Sequence, residues 1–326
     1  MKLVLTEDQR ELRGAVRSFL ASVSPLSAVR RAAESEIGHD PEVYRRLNGE
    51  LGLAGLIIPE EYGGAGAGYA ELAVVLEETG AALLPGPFLA TTLAAILLTE
   101  VADKESLPGI AAGTTVATVA LDGDRALNGA EADVILAIDG ARVRAVRGGD
   151  RTPLTTLDPT RRQARVDLDR GEEIASSEAA VARARDLFAV AVAAEQLGVL
   201  RASLDAIVAY AKVRVTFGRL IGSYQGVKHK LADMHCKLEQ AESIVRHAAW
   251  AADEAPGELP MAAALAQAYV GRACFEVARD NLLLHGGIGF TWEHDAHLYY
   301  KRAKADEVLL GPSRTHRARL AELLEL

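Results

Sequence analysis

The stretch Arg214-Val215-Thr216-Phe217-Gly218-Arg219-Leu220-Ile221-Gly222-Ser223-Tyr224-Gln225 separates two long runs of helical periodicity, and its flanks decide the architecture. Upstream, Leu187, Val190, Ala194, Leu197, Leu204, Val208 and Ala211 recur on a helical period, which gathers apolar side chains on one face. Downstream, helical patterns cover Gln225 to Ala252 and, after Pro256-Gly257, Pro260 to Leu284. Residues 178–326 therefore predict a bundle of long helices.

Working back from the bundle, the period changes. Between 107 and 177 short β-type runs alternate with turn residues: Thr114 to Val119 before Asp122-Gly123, Val134 to Ile138 before Asp139-Gly140, and Arg142 to Val146 with a period of two. This is the pattern of a small β domain. Residues 1–106 are helical again, beginning at Thr6-x-x-Gln9, a capping box that satisfies the first free N–H groups of a helix. Proline and glycines interrupt them over Leu53 to Gly66, and Gly80 reads as a helix stop after Thr79. The order is α, β, α, so the fold class is α+β and mostly α.

The charge balance narrows the partners. With 36 Lys+Arg against 45 Asp+Glu the net charge is -9, which disfavours nucleic acid or an anionic membrane surface. Two cysteines, Cys236 and Cys274, are too few for a disulfide framework and suit a reducing cytoplasm. The first residues turn polar at Thr6-Glu7-Asp8 before an export signal could form, and Pro85-Gly86-Pro87 breaks the uncharged run Ala81 to Leu98 into core-sized pieces.

Three local motifs carry more. They are Ile58-Pro59-Glu60-Glu61-Tyr62-Gly63-Gly64 followed by Leu76-Glu77-Glu78-Thr79-Gly80, the opening stretch followed by Leu231-Ala232-Asp233-Met234, and His285-Gly286-Gly287-Ile288-Gly289-Phe290-Thr291-Trp292-Glu293. In this order around a β segment, the chain resembles the acyl-CoA dehydrogenase family over essentially its whole length. The resemblance implies an N-terminal helical domain, a middle β domain and a C-terminal four-helix bundle, with FAD bound across a subunit interface. Arg214 then takes the family's diphosphate-binding role through its Arg-x-x-Phe-Gly motif, the fork of its guanidinium suiting a pyrophosphate. By the same match Phe217 packs beside it, Gln225 is the flavin-contacting glutamine, and Gly286 and Gly287 let backbone N–H groups approach the dinucleotide.

The chain also departs from that family. Dehydrogenation of an acyl-CoA thioester needs a carboxylate to remove the α-proton while the β-hydride goes to the flavin. Leu310, before Gly311, stands at the commoner base position, and Phe188, ten residues before Gly198, stands at the other. The β domain is short, with Ala117 to Asp124 where the family carries a Thr-Glu-Pro and a Gly-Ser pair, and Leu283 replaces an expected glutamine. The family includes heteromeric enzymes of bacterial steroid and cholesterol side-chain breakdown that pair a short non-catalytic subunit with a catalytic one. This sequence is similar to the short partner, which implies a longer catalytic subunit in an α2β2 assembly.

Three other readings stand beside it. A homo-oligomer could be active with a relocated base, Glu195 on the helix of Phe188 or Asp306 and Glu307 near Leu310. Glu293, His294, Asp295 and His297 cluster within five positions, and imidazole with carboxylate can bind zinc; His294 and His297 would share a helical face. A scaffold that binds neither flavin nor thioester is the third.

Overall fold

The computed structural model describes residues 3–326. The N-terminal part contains α1 (Glu7–Val23), α2 (Leu26–Glu34), α3 (Pro41–Leu51), α4 (Tyr69–Ala81), α5 (Phe88–Glu100) and the short α6 (Leu107–Ala111). The capping box is formed: Gln9 N–H donates to Thr6 Oγ1 at 3.2 Å and Thr6 N–H donates to Gln9 Oε1 at 3.0 Å. In the loop before α4 a Cβ on Gly64 would lie 2.0 Å from the Ile58 oxygen, so only glycine fits that fold-back.

The β domain is a seven-stranded sheet of β1 (Ala117–Asp122), β2 (Arg125–Leu127), β3 (Val134–Asp139), β4 (Arg142–Val146), β5 (Arg151–Leu154), β6 (Gln163–Val166) and β7 (Glu172–Ser176), in the order β5-β6-β2-β1-β3-β4-β7. β1 and β3 run parallel, and the other neighbours are antiparallel. The first strand starts at Ala117 rather than Thr114, because the N–H groups of Thr114 and Thr115 both donate to the Gly109 oxygen and close α6.

The remainder is α7 (Glu178–Ala211), a hairpin of β8 (Val215–Thr216) and β9 (Arg219–Leu220), α8 (Gln225–Glu254), α9 (Leu259–Leu284), α10 (Ala296–Val308) and α11 (Ser313–Leu323). α7 is long and apolar enough to cross a membrane, yet it is almost wholly buried within the protein. α5, apolar on every side, packs between α7 and β1. Leu93, Ile96, Leu97 and Leu98 are fully buried there, each contributing about 1.5–3 kcal/mol of transfer free energy.

Gly80 corrects the sequence reading. The helix continues to Ala81, and a Cβ on Gly80 would lie 2.2 Å from the Glu195 oxygen of α7. Reciprocally, a Cβ on Gly198 of α7 would lie 1.8 Å from the Glu77 oxygen of α4. The two helices cross with glycine against backbone on both sides. Beside the crossing, Glu77 accepts from Arg201 Nε at 2.8 Å and Arg246 Nη2 at 2.5 Å, while Glu78 takes both arms of Arg17. The glutamates of the first motif thus tie α4 to α7, α8 and α1.

Candidate functional site

The five residues expected at the FAD site lie on the surface around the C-terminal end of α7. Arg214 begins the hairpin, is exposed, and enters none of the ion pairs among the described residues. Its N–H donates to the Tyr210 oxygen at 2.9 Å, tying it to the last turn of α7. Phe217 and Gly218 form the turn with φ of 52° and 76°, the left-handed pair that a tight hairpin requires. Phe217 is consequently 92% exposed at the tip. Gln225 opens α8 and is exposed.

The glycine segment follows α9. Gly286 has φ of 68°, and a Cβ on either Gly286 or Gly287 would meet nothing within 4 Å. The space beside both α-carbons is therefore open at the surface. At Gly289, by contrast, a Cβ would lie 2.5 Å from the Leu282 oxygen, so this glycine serves the fold. The Tyr210 and His285 rings meet at a tilt of 38° with centroids 4.4 Å apart, bringing the end of α7 against the glycine segment. An exposed guanidinium suits a diphosphate, and Arg214 and the exposed Gly286 and Gly287 are the residues that would hold the phosphates of FAD.

Neither family base position holds a carboxylate. Phe188 is fully buried in α7, and Leu310 is half-buried past the end of α10. Glu195, expected as an alternative base facing an acyl pocket, is instead locked in an ion network. It pairs closely with Arg161, and its other oxygen lies 3.5 Å from Arg302 Nη1. Arg302 is fully buried; its Nε donates to Asp158 at 2.6 Å and its Nη2 to Thr160 Oγ1 at 2.6 Å. Asp306 lies 3.6 Å from Arg161 and is fully buried, and burial raises its pKa to about 7, against the pull of Arg161. Glu307 pairs with Lys304 at 2.8 Å and lies 3.6 Å from Arg272. A glutamate whose two oxygens face two buried guanidiniums is not placed to accept a proton from a substrate carbon.

This network brings Asp158, Thr160 and Arg161 of the β5–β6 loop into the helical core. The sequence reading did not find it. Its only signals are the polar run from Asp158 to Arg162 and an arginine among the apolar positions of α10.

The acidic and histidine cluster is dispersed. Glu293 is exposed, Asp295 binds Arg30 at 2.7 Å, and His297 is buried edge-on to Trp292 with a centroid distance of 4.7 Å. His294 lies before α10, which starts at Ala296, so it does not share a helical face with His297. Instead its ring packs at a tilt against His285, with centroids 4.2 Å apart. Among the described residues no group of three or more His, Cys, Asp or Glu side chains is arranged to hold a metal.

Known families agree with this architecture. The description "Acyl-CoA dehydrogenase, N-terminal domain" fits residues 6–114, and "Acyl-CoA dehydrogenase, C-terminal domain" fits residues 178–324. The chain belongs to the acyl-CoA dehydrogenase family of oxidoreductases, whose members generally bind FAD. Within it, the chain is 40% identical over 316 residues to "Acyl-CoA dehydrogenase IpdE2" of Mycolicibacterium smegmatis, covering 97% of this chain and 98% of that one. Among solved structures it is similar to "Tcur3481-Tcur3483 steroid ACAD G363A variant", with 28% identity, a TM-score of 0.89 and 98% of each chain covered. It is also similar to the ChsE4-ChsE5 complex from Mycobacterium tuberculosis, with 28% identity, a TM-score of 0.88, and 100% and 99% of the two chains covered.

Proposed function

We propose that this chain is the short, non-catalytic subunit of a heteromeric, FAD-dependent acyl-CoA dehydrogenase, and that it completes the flavin site of a longer catalytic partner in an α2β2 complex. One contrast carries the reading. Arg214, Gly286 and Gly287, expected at the flavin diphosphate, and Gln225, expected to contact the flavin, are exposed, whereas Phe188 and Leu310 are apolar and Glu195 is bound between Arg161 and Arg302. A homo-oligomer with its own base at Glu195 would have to dismantle a buried ion network first, and breaking a buried pair costs about 3–5 kcal/mol. The substrate class is an acyl-CoA thioester oxidised between its α and β carbons, and the relatives with steroid enzymes in their names support a steroid-derived acyl group. A cytoplasmic location belongs to the same proposal, supported by two unpaired thiols, Cys236 and Cys274.

The test is thioester-dependent bleaching of the flavin. The isolated chain should bleach little or not at all, since loss of a general base typically removes about 10²–10⁴-fold in rate. Mixed with a longer, catalytic acyl-CoA dehydrogenase subunit that is its mate, the chain should co-purify in equal amounts and the complex should bleach readily. Robust turnover by the isolated chain would overturn the proposal, and its loss on Glu195→Gln would then assign the base to Glu195.

A further inference from the structure

The hairpin at the candidate site has two unlike faces. Val215 stands opposite Leu220, and Thr216 opposite Arg219, across the turn of Phe217 and Gly218. Directly opposed side chains of an antiparallel pair lie on the same side, and side chains alternate along each strand. Val215 and Leu220, both exposed, therefore make one face apolar. Thr216 and Arg219 belong to the other. The Ile221 N–H donates to the Arg214 oxygen at 2.8 Å, which carries the pairing one step further from the turn. Arg214, two residues before Thr216, thus falls on the face of Arg219. The two arginines are diagonal neighbours, a relation that sets α-carbons about 7–8 Å apart and within reach of long side chains.

Both guanidiniums are exposed, and neither enters an ion pair among the described residues. Arg219 is nonetheless held in place. Its guanidinium carbon stands over the Tyr224 ring, 3.9 Å from the centroid. Tyr224 is half-buried and fixed in turn: its hydroxyl donates to the Thr216 oxygen at 2.9 Å and its N–H to the Ile221 oxygen at 3.1 Å. A guanidinium seated on an aromatic face is attracted by the ring and keeps outward N–H groups for a ligand. Held this way, it loses less freedom on binding than an arginine on an unsupported stem. Tyr224 also directly precedes Gln225, the residue expected to contact the flavin.

The motif Arg-x-x-Phe-Gly ends at Gly218, so a match by motif gives Arg219 no role. The charge of the ligand gives it one. A diphosphate carries two negative charges, and Arg214 answers one of them, while Gly286 and Gly287 bring no charged side chain. We propose that Arg219 is a second diphosphate-binding residue for FAD, acting with Arg214 from one face of the hairpin, and that Tyr224 is the positioning residue that keeps its guanidinium ready. The proposal rests on the reading that this chain completes a partner's FAD site.

The experiment measures the dissociation constant of FAD from the assembled two-subunit complex over a series of KCl concentrations at fixed pH. It has two readouts: the affinity at low salt, and the slope of the logarithm of the constant against the logarithm of salt. Contacts between a cation and a phosphate are weakened by screening, so each one adds to that slope. Arg219→Gln, which keeps polar atoms but removes the charge, should weaken FAD about ten- to a hundredfold at low salt, the range for hydrogen bonds to charged groups, and make the slope shallower. Arg219→Lys should restore the slope and only part of the affinity, because an ammonium lacks the planar fork. Tyr224→Leu should weaken FAD with the slope kept, since both cations remain. If Arg219→Gln changes neither readout while Arg214→Ala weakens FAD, the second arginine is overturned. Lost affinity with an unchanged slope in Arg219→Gln overturns it too, since that is the mark of a merely structural residue. Full affinity in Tyr224→Leu overturns the positioning role. If Arg214→Ala itself leaves FAD affinity unaltered, the site-completion reading fails, an outcome distinct from failure of Arg219.

Discussion

Asp306 lies in α10 with both carboxylate oxygens buried and without a hydrogen-bond donor, 3.6 Å from the nearest nitrogen of Arg161. Three carboxylates, Asp158, Glu195 and Asp306, face two guanidiniums, Arg161 and Arg302, so one negative charge is in excess. Asp306 resolves the excess by holding its proton up to about pH 7, whereas in the unfolded chain it ionises near pH 4. The raised value means that folding takes up a proton in this window. The contribution to stability is full below about pH 4 and is lost as pH rises through 7. At about 1.4 kcal/mol per pKa unit the effect amounts to a few kcal/mol, reduced by coupling to Glu195. Melting temperature should fall between about pH 5 and about pH 8 in the natural chain, and Asp306→Asn, close in shape to the protonated acid, should remove that fall. Identical pH profiles would show that Asp306 is ionised throughout. None of this was legible beforehand, because Asp158 and Arg302 are brought together only by the fold. The motifs themselves were legible, since their spacing is contained in single short segments.

At the scale of elements, the crossing of α4 and α7 rests on two missing side chains. With a Cβ position 1.8 Å from a carbonyl oxygen, Gly198→Ala cannot be relieved by a rotamer change; the helices must separate or bend. Overpacking of this kind costs about 1–3 kcal/mol, more when the obstacle is backbone. The separation would also strain the contacts of Glu77 with Arg201 and Arg246 beside it. A chemical denaturation midpoint should drop clearly for Gly198→Ala and remain near the natural value for Gly257→Ala, where the added methyl meets nothing. Equal midpoints would mean that the crossing is looser than described. The sequence reading recognised that Gly80 was special but assigned it the wrong task. A glycine that ends a helix and a glycine that admits a second helix look alike in one dimension. Helix existence was clear from periodicity, and the β domain was clear from its turns. The parallel pairing of β1 with β3 was hidden, because strand partners are chosen by packing rather than by adjacent sequence.

For the whole molecule, the apolar surface is unevenly placed. Val213, Val215, Phe217 and Leu220 on the hairpin, together with Leu283, Ile288, Phe290 and Trp292 around the glycine segment, are all exposed in the single chain. Their grouping at the candidate site agrees with a surface that a second chain covers. The order α, β, α and the three motifs made this end of the bundle identifiable from sequence. Its extent became visible only once Tyr210 and His285 were seen to bring the end of α7 against the glycine segment.

Phe217 combines near-complete exposure with a φ of 52°, a conformation that costs a non-glycine residue about 1–2 kcal/mol. With the partner subunit proposed above, a copy synthesised without that mate would carry this strained aromatic tip, and the apolar residues around it, into a crowded cell. Such an orphan is what chaperones and proteases select, so the lifetime of this chain should follow the supply of its partner. Pulse-chase half-lives should be short when the chain is expressed alone and longer on co-expression, with Phe217→Ser lengthening the solitary half-life; equal half-lives in all three cases would contradict this. Selective destruction of unpaired copies would then set the stoichiometry of the pair, without any regulator dedicated to balancing their synthesis.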